Sequence, residues 1–254
     1  TKGEILIDDL NIHKNLESNK IWIKALLIDN YSDFYSHYQS QYSLEKWLND
    51  SNIVGLHSID TRRLTQELRE QGTIKGKIIF DDINIDLNKF ENINLVKKVS
   101  TLKKYTIGNG DIHICVVDCG IKFNIIRNLI NEGFKLTVVP YNYDYNNDIF
   151  DGIFISNGPG NPRDCIETIN NLSKFINSNI IKPVFGICLG NQLLSIASGA
   201  KTYKMKYGNR GYNQPVYFKS QDKTYITSQN HGYAVDKNSL NNDWDELCYN
   251  KNDN

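Results

Sequence analysis

Five cysteines are spread along this 254-residue chain, and one of them, Cys188, stands in a frame that the other four lack. In "KPVFGICLGNQLLSIASGAK", residues 182–201, the thiol lies between Gly186 and Gly190, after an apolar β-type run and before a helical one. A strand-to-helix elbow of the form G-x-nucleophile-x-G needs small flanking residues, because the nucleophile occupies a strained turn with backbone crowded against it. Here the nucleophile would be sulfur. The N-terminus of the following helix is expected to lower the thiol pKa and to aim free N–H groups at the reacting centre. A second glycine pair, Gly158 and Gly160 in "SNGPGNP", lets another backbone stretch approach the same point. The N–H groups of Leu189 and Gly158 are then candidates for an oxyanion hole. A cysteine without such a frame is usually a small buried core residue, and the remaining four carry no chemistry in this reading: Cys115 and Cys119 flank a strand end, Cys165 starts a helix and Cys248 lies in the tail.

The elements that must position this elbow follow from the pattern after residue 112. "IHICVVD" reads as a buried strand, and "IKFNIIRNLINEG" as a helix with Ile121, Ile125, Ile126, Leu129 and Ile130 on one face and Gly133 as its stop. "KLTVVP" and "DGIFISN" are further strands, "RDCIETINNLSKFINS" a helix, "KPVFGIC" a strand and "LGNQLLSIASG" a helix. Strands alternating with helices of this length imply a parallel sheet covered on both faces, with ligands at the carboxyl ends of the strands. Both glycine-bearing loops fall at those ends.

The N-terminal part has a different rhythm. Leu44, Trp47 and Leu48 share a helical face, and a second helix is bounded by Asp60 as N-cap and Gly72 as stop, with Leu64 and Leu68 one turn apart. Arg62, Arg63 and Arg69 on that helix read as a solvated face. Residues 83–111 show weak periodicity and end in a Gly-Asn-Gly-Asp turn, so the boundaries are set at 1–82, 83–111 as a linker, and 112–254.

Composition excludes several classes. Lys plus Arg and Asp plus Glu are 29 each, which gives no electrostatic case for nucleic acid or an acidic membrane surface. No apolar run approaches a membrane span and the first residues lack a signal-peptide profile, so a cytoplasmic protein is expected. The odd, scattered cysteines do not form a disulfide framework. Cys115 and Cys119, four apart in an extended segment, are too distant for one metal, and no metal site is expected. The chain opens on Thr1 and stops in a polar tail, as a piece of a longer protein would.

"PVFGICLGNQLLSIASGAKTYKMKYGNRGYNQPV" followed by "TSQNHGYAVD" resembles the glutaminase portion of glutamine-dependent carbamoyl-phosphate synthase, a class I (triad-type) glutamine amidotransferase, nearest to the eukaryotic pyrimidine-pathway form. "SNGPGNP", "DCGIKFNIIRNL" and the upstream "NIVGLHSIDTRRLTQELREQGTIKGKI" fit the same family, the last in its small-subunit N-terminal domain. The resemblance implies a flavodoxin-like, mostly parallel α/β sheet with helices on both faces, preceded by a smaller, incomplete α/β domain. It implies that Cys188 attacks the side-chain amide of L-glutamine, and that Gly158, Gly160, Leu189, Gln192, Asn230, Gly232 and Tyr233 line the glutamine site. No cofactor is expected in this chain. ATP and magnesium belong to a synthetase region, in cis or in trans, that combines the ammonia with bicarbonate in the first step of pyrimidine biosynthesis. Two departures stand out: Asn191 replaces the usual histidine of G-H-Q, and the downstream H-P-E-like motif that supplies base and carboxylate is not within the 254 residues. His231 is expected to make a structural hydrogen bond rather than to serve as that base. The rival reading is a non-catalytic amidotransferase-like docking or regulatory module.

Overall fold

A run of β-branched and apolar residues that cannot satisfy a helical stripe must bury both of its faces, and in this chain four such runs lie side by side. The computed structural model describes residues 2–3, 15–38, 40–79 and 93–253. In chain order the N-terminal elements are β1 (Lys2–Gly3), β2 (Ala25–Leu27), β3 (Ser40–Tyr42), α1 (Leu44–Asp50), β4 (Val54–Leu56) and α2 (Thr61–Gln71). β1 pairs antiparallel with β3, and β2 parallel with β4. Local chemistry sets the helix ends. The Ser43 hydroxyl accepts from the Lys46 N–H at 3.1 Å and the Asp60 carboxylate from the Arg63 N–H at 2.9 Å, each satisfying a first-turn donor. Leu48 is buried as its periodicity predicts, whereas Leu68 is left partly exposed.

The second part contains α3 (Val96–Val99), β5 (Tyr105–Ile107), β6 (Ile112–Asp118), α4 (Phe123–Asn131), β7 (Phe134–Pro140), β8 (Gly152–Ile155), α5 (Ile166–Ile176), β9 (Val184–Gly186) and α6 (Leu189–Ala197). The sheet order is β5-β7-β6-β8-β9. β7, β6, β8 and β9 are parallel, and β5 joins the outer edge antiparallel, so the sheet is mostly parallel as expected. The chain steps from β6 to β7 on one side and then back to β8 on the other. That reversal opens a crevice beyond the carboxyl ends of β6 and β8.

Both faces are covered. Val116, Leu136, Val138 and Phe154 pack on one face with Ile126 of α4, against which Ile125, Leu129 and Ile130 also lie. Cys115, Val117, Ile153 and Ile155 pack on the other with Leu172 and Phe175 of α5 and Leu189, Leu193 and Leu194 of α6. Cys115, Cys119 and Cys165 are buried free thiols, and Cys165 is the N-cap of α5.

Residues 93–111, read from sequence as part of a linker, are built into this unit. Val96 is 1% exposed within the core, β5 adds a strand, and the Thr101 N–H donates to Asp118 Oδ2 at 2.7 Å. A four-residue helix and a three-residue strand are too short for periodicity to register. Residues 83–92 of the same stretch lie outside the described residues. Beyond α6, β10 (Lys201–Phe218) and β11 (Lys223–Asp236) form a long antiparallel pair, with β12 (Cys248–Asn250) on the far side of β10. Among the described residues no helix is long and apolar enough to cross a membrane, and no cluster of three His, Cys, Asp or Glu could hold a metal ion.

Candidate active site

Three loops meet at the carboxyl ends of β6, β8 and β9, and their contacts explain the glycines around Cys188. Cys188 has φ 53° and ψ −107°, a left-handed conformation rare for a residue with a side chain. The turn is tight enough that a Cβ on Gly186 would meet the Gly190 carbonyl carbon at 2.4 Å, and one on Gly190 would meet the Ile155 carbonyl oxygen at 2.2 Å. No Cβ is found at such distances. The glycines allow the start of α6 to lie directly on β8, and the packing forces the strain at Cys188.

Gly158 brings the second loop in. A Cβ there would sit 2.1 Å from the Cys119 carbonyl oxygen and 2.7 Å from Leu189 Cδ2, so the loop after β8 is wedged between the loop after β6 and the first residue of α6. The loop after β6 is itself fixed by Asp118. Its Oδ1 accepts from the Gly120 and Ile121 N–H groups, both at 2.8 Å, and its Oδ2 from Thr101. Burial pushes the Asp118 carboxyl above the usual range for an aspartate, and these three backbone donors oppose the shift. The Ser156 hydroxyl accepts from the Cys119 N–H at 2.9 Å, and Asn157 Nδ2 donates to the Gly120 carbonyl at 3.1 Å.

The remaining wall is β11. The Cys188 thiol reaches the Asn230 carbonyl at 3.8 Å, and Gln192 Nε2 donates to the Tyr233 carbonyl at 2.7 Å from a side chain 7% exposed. Leu189, Gln192, Asn230 and Tyr233 are thus linked to the elbow by direct contacts, and Gly158 through Leu189. Gly160 lies instead over Leu95, with 3.6 Å between a built Cβ and Leu95 Cβ, and Gly232 lies beneath the Arg210 guanidinium. His231 has an acceptor beside each ring nitrogen, the Tyr233 carbonyl 2.9 Å from Nδ1 and Gln229 Oε1 3.0 Å from Nε2, and as a neutral imidazole donates to one of the two. That is the arrangement of a wall residue.

The expectation of a lowered thiol pKa does not hold. Cys188 is an exposed residue, yet the protein around its sulfur desolvates the thiolate and pushes the thiol above the ordinary cysteine value. The Leu189 N–H and the charge of Lys122 pull in the opposite direction and do not overcome burial. One helix N-terminus is not enough to offset desolvation. Lys122 escaped the sequence reading because it is the N-cap of α4, more than sixty positions before Cys188, and reaches it only through the folded loops. The signal that could have found it is its position just after the carboxyl end of β6, where ligands of such sheets bind.

Comparison with known proteins gives two family matches. Residues 115–254 match the model for glutamine amidotransferase class-I, and residues 6–78 match the carbamoyl-phosphate synthase small chain, CPSase domain. Multifunctional protein CAD of Squalus acanthias is 47% identical over 250 residues, covering 97% of this chain and 11% of that protein. Multifunctional protein pyr1-3 of Dictyostelium discoideum is 44% identical, covering 94% and 12%. The carbamoyl phosphate synthase arginine-specific small chain of Candida albicans is 44% identical, covering 97% of this chain and 60% of its own length. The chain therefore spans only part of each of these relatives. A solved structure described as a putative GMP synthase subunit from Thermoplasma acidophilum has a TM-score of 0.48 at 23% identity, covering 55% of this chain and 73% of that one.

Proposed function

Because the chain belongs to the class I glutamine amidotransferases, we propose that it is the glutaminase part of a carbamoyl-phosphate synthase, with Cys188 as nucleophile and L-glutamine as substrate. The single observation that carries this reading is the left-handed Cys188 at the start of α6, with the Leu189 N–H directed at its sulfur and β8 packed beneath it.

In the proposed reaction the Cys188 thiolate adds to the side-chain carbonyl carbon of glutamine. The developing oxyanion is met by the Leu189 and Gly158 N–H groups, each such donor typically contributing about 2.7–4 kcal/mol of transition-state stabilisation. The C–N bond breaks, the nitrogen leaves as ammonia after gaining a proton, and a glutamyl thioester remains. Water then attacks the thioester, releasing glutamate and restoring the thiol. Gln192, fixed by the Tyr233 carbonyl, and the β11 wall around Asn230 and Gly232 orient the amino-acid end of the substrate, with Gly160 on the facing loop. His231, whose ring lies among the Tyr233 carbonyl and Gln229 Oε1 of the wall, does not act as base in this reading. The resemblance assigns the base and its carboxylate to an H-P-E-like motif, which these 254 residues do not contain. Ammonia passes to a synthetase region, in cis or in trans, where bicarbonate, ATP and magnesium complete carbamoyl phosphate synthesis for pyrimidine formation. The match of residues 6–78 and the names of the relatives support that assignment.

The test is ammonia release from glutamine by the protein in its full-length context, compared with Cys188→Ser. Loss of release with an unchanged melting temperature supports the enzyme. Equal release by both proteins removes Cys188 from the reaction, and no release by either leaves the docking-module reading.

A further inference from the structure

We propose that the bulge of β10 between Lys204 and Asn209 is the element through which the N-terminal part of the chain sets the β11 wall of the site, and that Gly72 is the positioning residue on its outer side. The proposal rests on the reading of that wall as part of the glutamine site.

Helix α2 buries none of its own residues, yet the glycine that ends it is buried. Gly72 has φ 79° and ψ −148°, a region that residues with a side chain essentially do not enter. A Cβ built on it would lie 2.7 Å from the Lys206 carbonyl oxygen, so the end of α2 is seated directly on the backbone of β10. A second fastening lies at Glu17, in the same segment that matches the small-chain domain. There the Phe123 N–H donates to the Glu17 carbonyl at 3.1 Å and the Asn124 N–H to Glu17 Oε2 at 3.0 Å, which caps the start of α4. With the N-terminal part held at both places, a larger residue at position 72 presses on Lys206 instead of lifting that part away.

Lys206 belongs to a stretch where the two long strands part. Lys204 pairs with Tyr233 and Asn209 with His231, so Met205, Lys206, Tyr207 and Gly208 stand opposite Gly232 alone. Bulges re-aim a strand beside a site. This one is closed on its inner side as tightly as on its outer one. A Cβ on Gly208, at φ 70°, would lie 2.6 Å from the His231 carbonyl oxygen and 3.0 Å from Gly232 Cα. Arg210 Nη1 donates to the Tyr207 carbonyl at 2.6 Å while the guanidinium lies over Gly232. Backbone therefore meets backbone from Gly72 through Lys206 and Gly208 to His231 and Gly232. The neighbouring residue of β11, Asn230, has its carbonyl 3.8 Å from the Cys188 sulfur. Main-chain atoms packed this closely cannot rotate aside as side chains do, so a displacement at Gly72 is carried to the wall.

The experiment compares Gly72→Ala with Gly133→Ala in the full-length protein. Both glycines have positive φ, but a Cβ on Gly133 meets nothing within 4 Å, so that variant carries the backbone strain without the push. Glutamine KM, kcat, Tm and amide hydrogen exchange along β11 are measured for each. Gly72→Ala is expected to raise KM about tenfold with kcat within about twofold of native, since the wall orients the amino-acid end of the substrate. It is also expected to speed exchange around His231 and Gly232. Gly133→Ala is expected to lower Tm and to leave KM and that exchange at native values. Gly72→Asn carries the same Cβ on a residue that tolerates positive φ, and it is expected to give the same split should the alanine variant not fold. Native KM with native β11 exchange in the Gly72 variants overturns the proposal, as does an equal rise of KM in Gly133→Ala. If the native protein releases no ammonia from glutamine, exchange alone decides: faster exchange in β11 upholds the positioning role while the substrate assignment falls.

Discussion

Substituting Gly190 by alanine isolates the geometric core of the site, because it adds one methyl group where the structure has no room. The new Cβ would lie 2.2 Å from the Ile155 carbonyl oxygen, 2.8 Å from its carbonyl carbon and 3.0 Å from its Cβ. Two of the three contacts are with the backbone of β8, a buried strand in the middle of the sheet, and so cannot swing aside. To reach an ordinary separation the start of α6 must move by about 1 Å, and overpacking of this kind typically costs about 1–3 kcal/mol. Alanine returns about 1 kcal/mol in helix propensity, leaving a net loss of about 0–2 kcal/mol. For a chain of this size that is a fall of up to about 8 °C in Tm. Cys188 moves with the helix, and a displacement of about 1 Å at a reacting group can cost about a hundredfold in rate. The expected outcome is a folded, mildly destabilised protein whose ammonia release falls about a hundredfold while glutamine KM changes little. Calorimetry and a coupled ammonia assay measure the two quantities. Native kcat together with a native or raised Tm would refute the claim that close approach of α6 to β8 shapes the elbow.

Two further outcomes follow from other parts of the site. Burial holds the Cys188 thiol above the ordinary cysteine range and Lys122 lowers it, so alkylation should climb with pH through a midpoint above that range. Lys122→Met should move the midpoint higher, and a shift downward would contradict the electrostatic reading. Asp118→Asn keeps one oxygen for Gly120 and Ile121 but turns an N–H toward the Thr101 N–H, which should cost about 1–3 kcal/mol in urea unfolding. Unchanged stability would show that the Thr101 contact contributes nothing.

The readable and unreadable parts of this molecule divide by range of interaction. β6, β7, β8 and β9 were legible because a strand buried on both faces is a continuous apolar run, and α4 because Ile126 and its neighbours recur at helical spacing. α3 and β5 were not, since four and three residues cannot show a period. Nor was the β10–β11 pair assigned, whose half-buried or exposed, largely polar residues include Lys, Asn, Tyr and Gly in no clear alternation. Within the site, the linkage of Gly158 to Cys188 was visible as two glycine-rich loops at strand ends. As glutamine-site residues Gly160 and Gly232 rest on the resemblance alone; the structure shows Leu95 beside the first and Arg210 beside the second.

By itself the sequence determined the elbow, because Gly186, Cys188 and Gly190 are near neighbours and the steric demand of such a turn is local. It also determined the layered sheet, through apolar runs alternating with amphipathic ones. Only the tertiary structure decided the ionisation of the thiol, since desolvation, the Leu189 N–H and the Lys122 charge are summed at one point from separate loops. It likewise decided that α4 is capped from 107 positions away. Electrostatics and capping act through space, and which charges meet is fixed when the chain closes on itself.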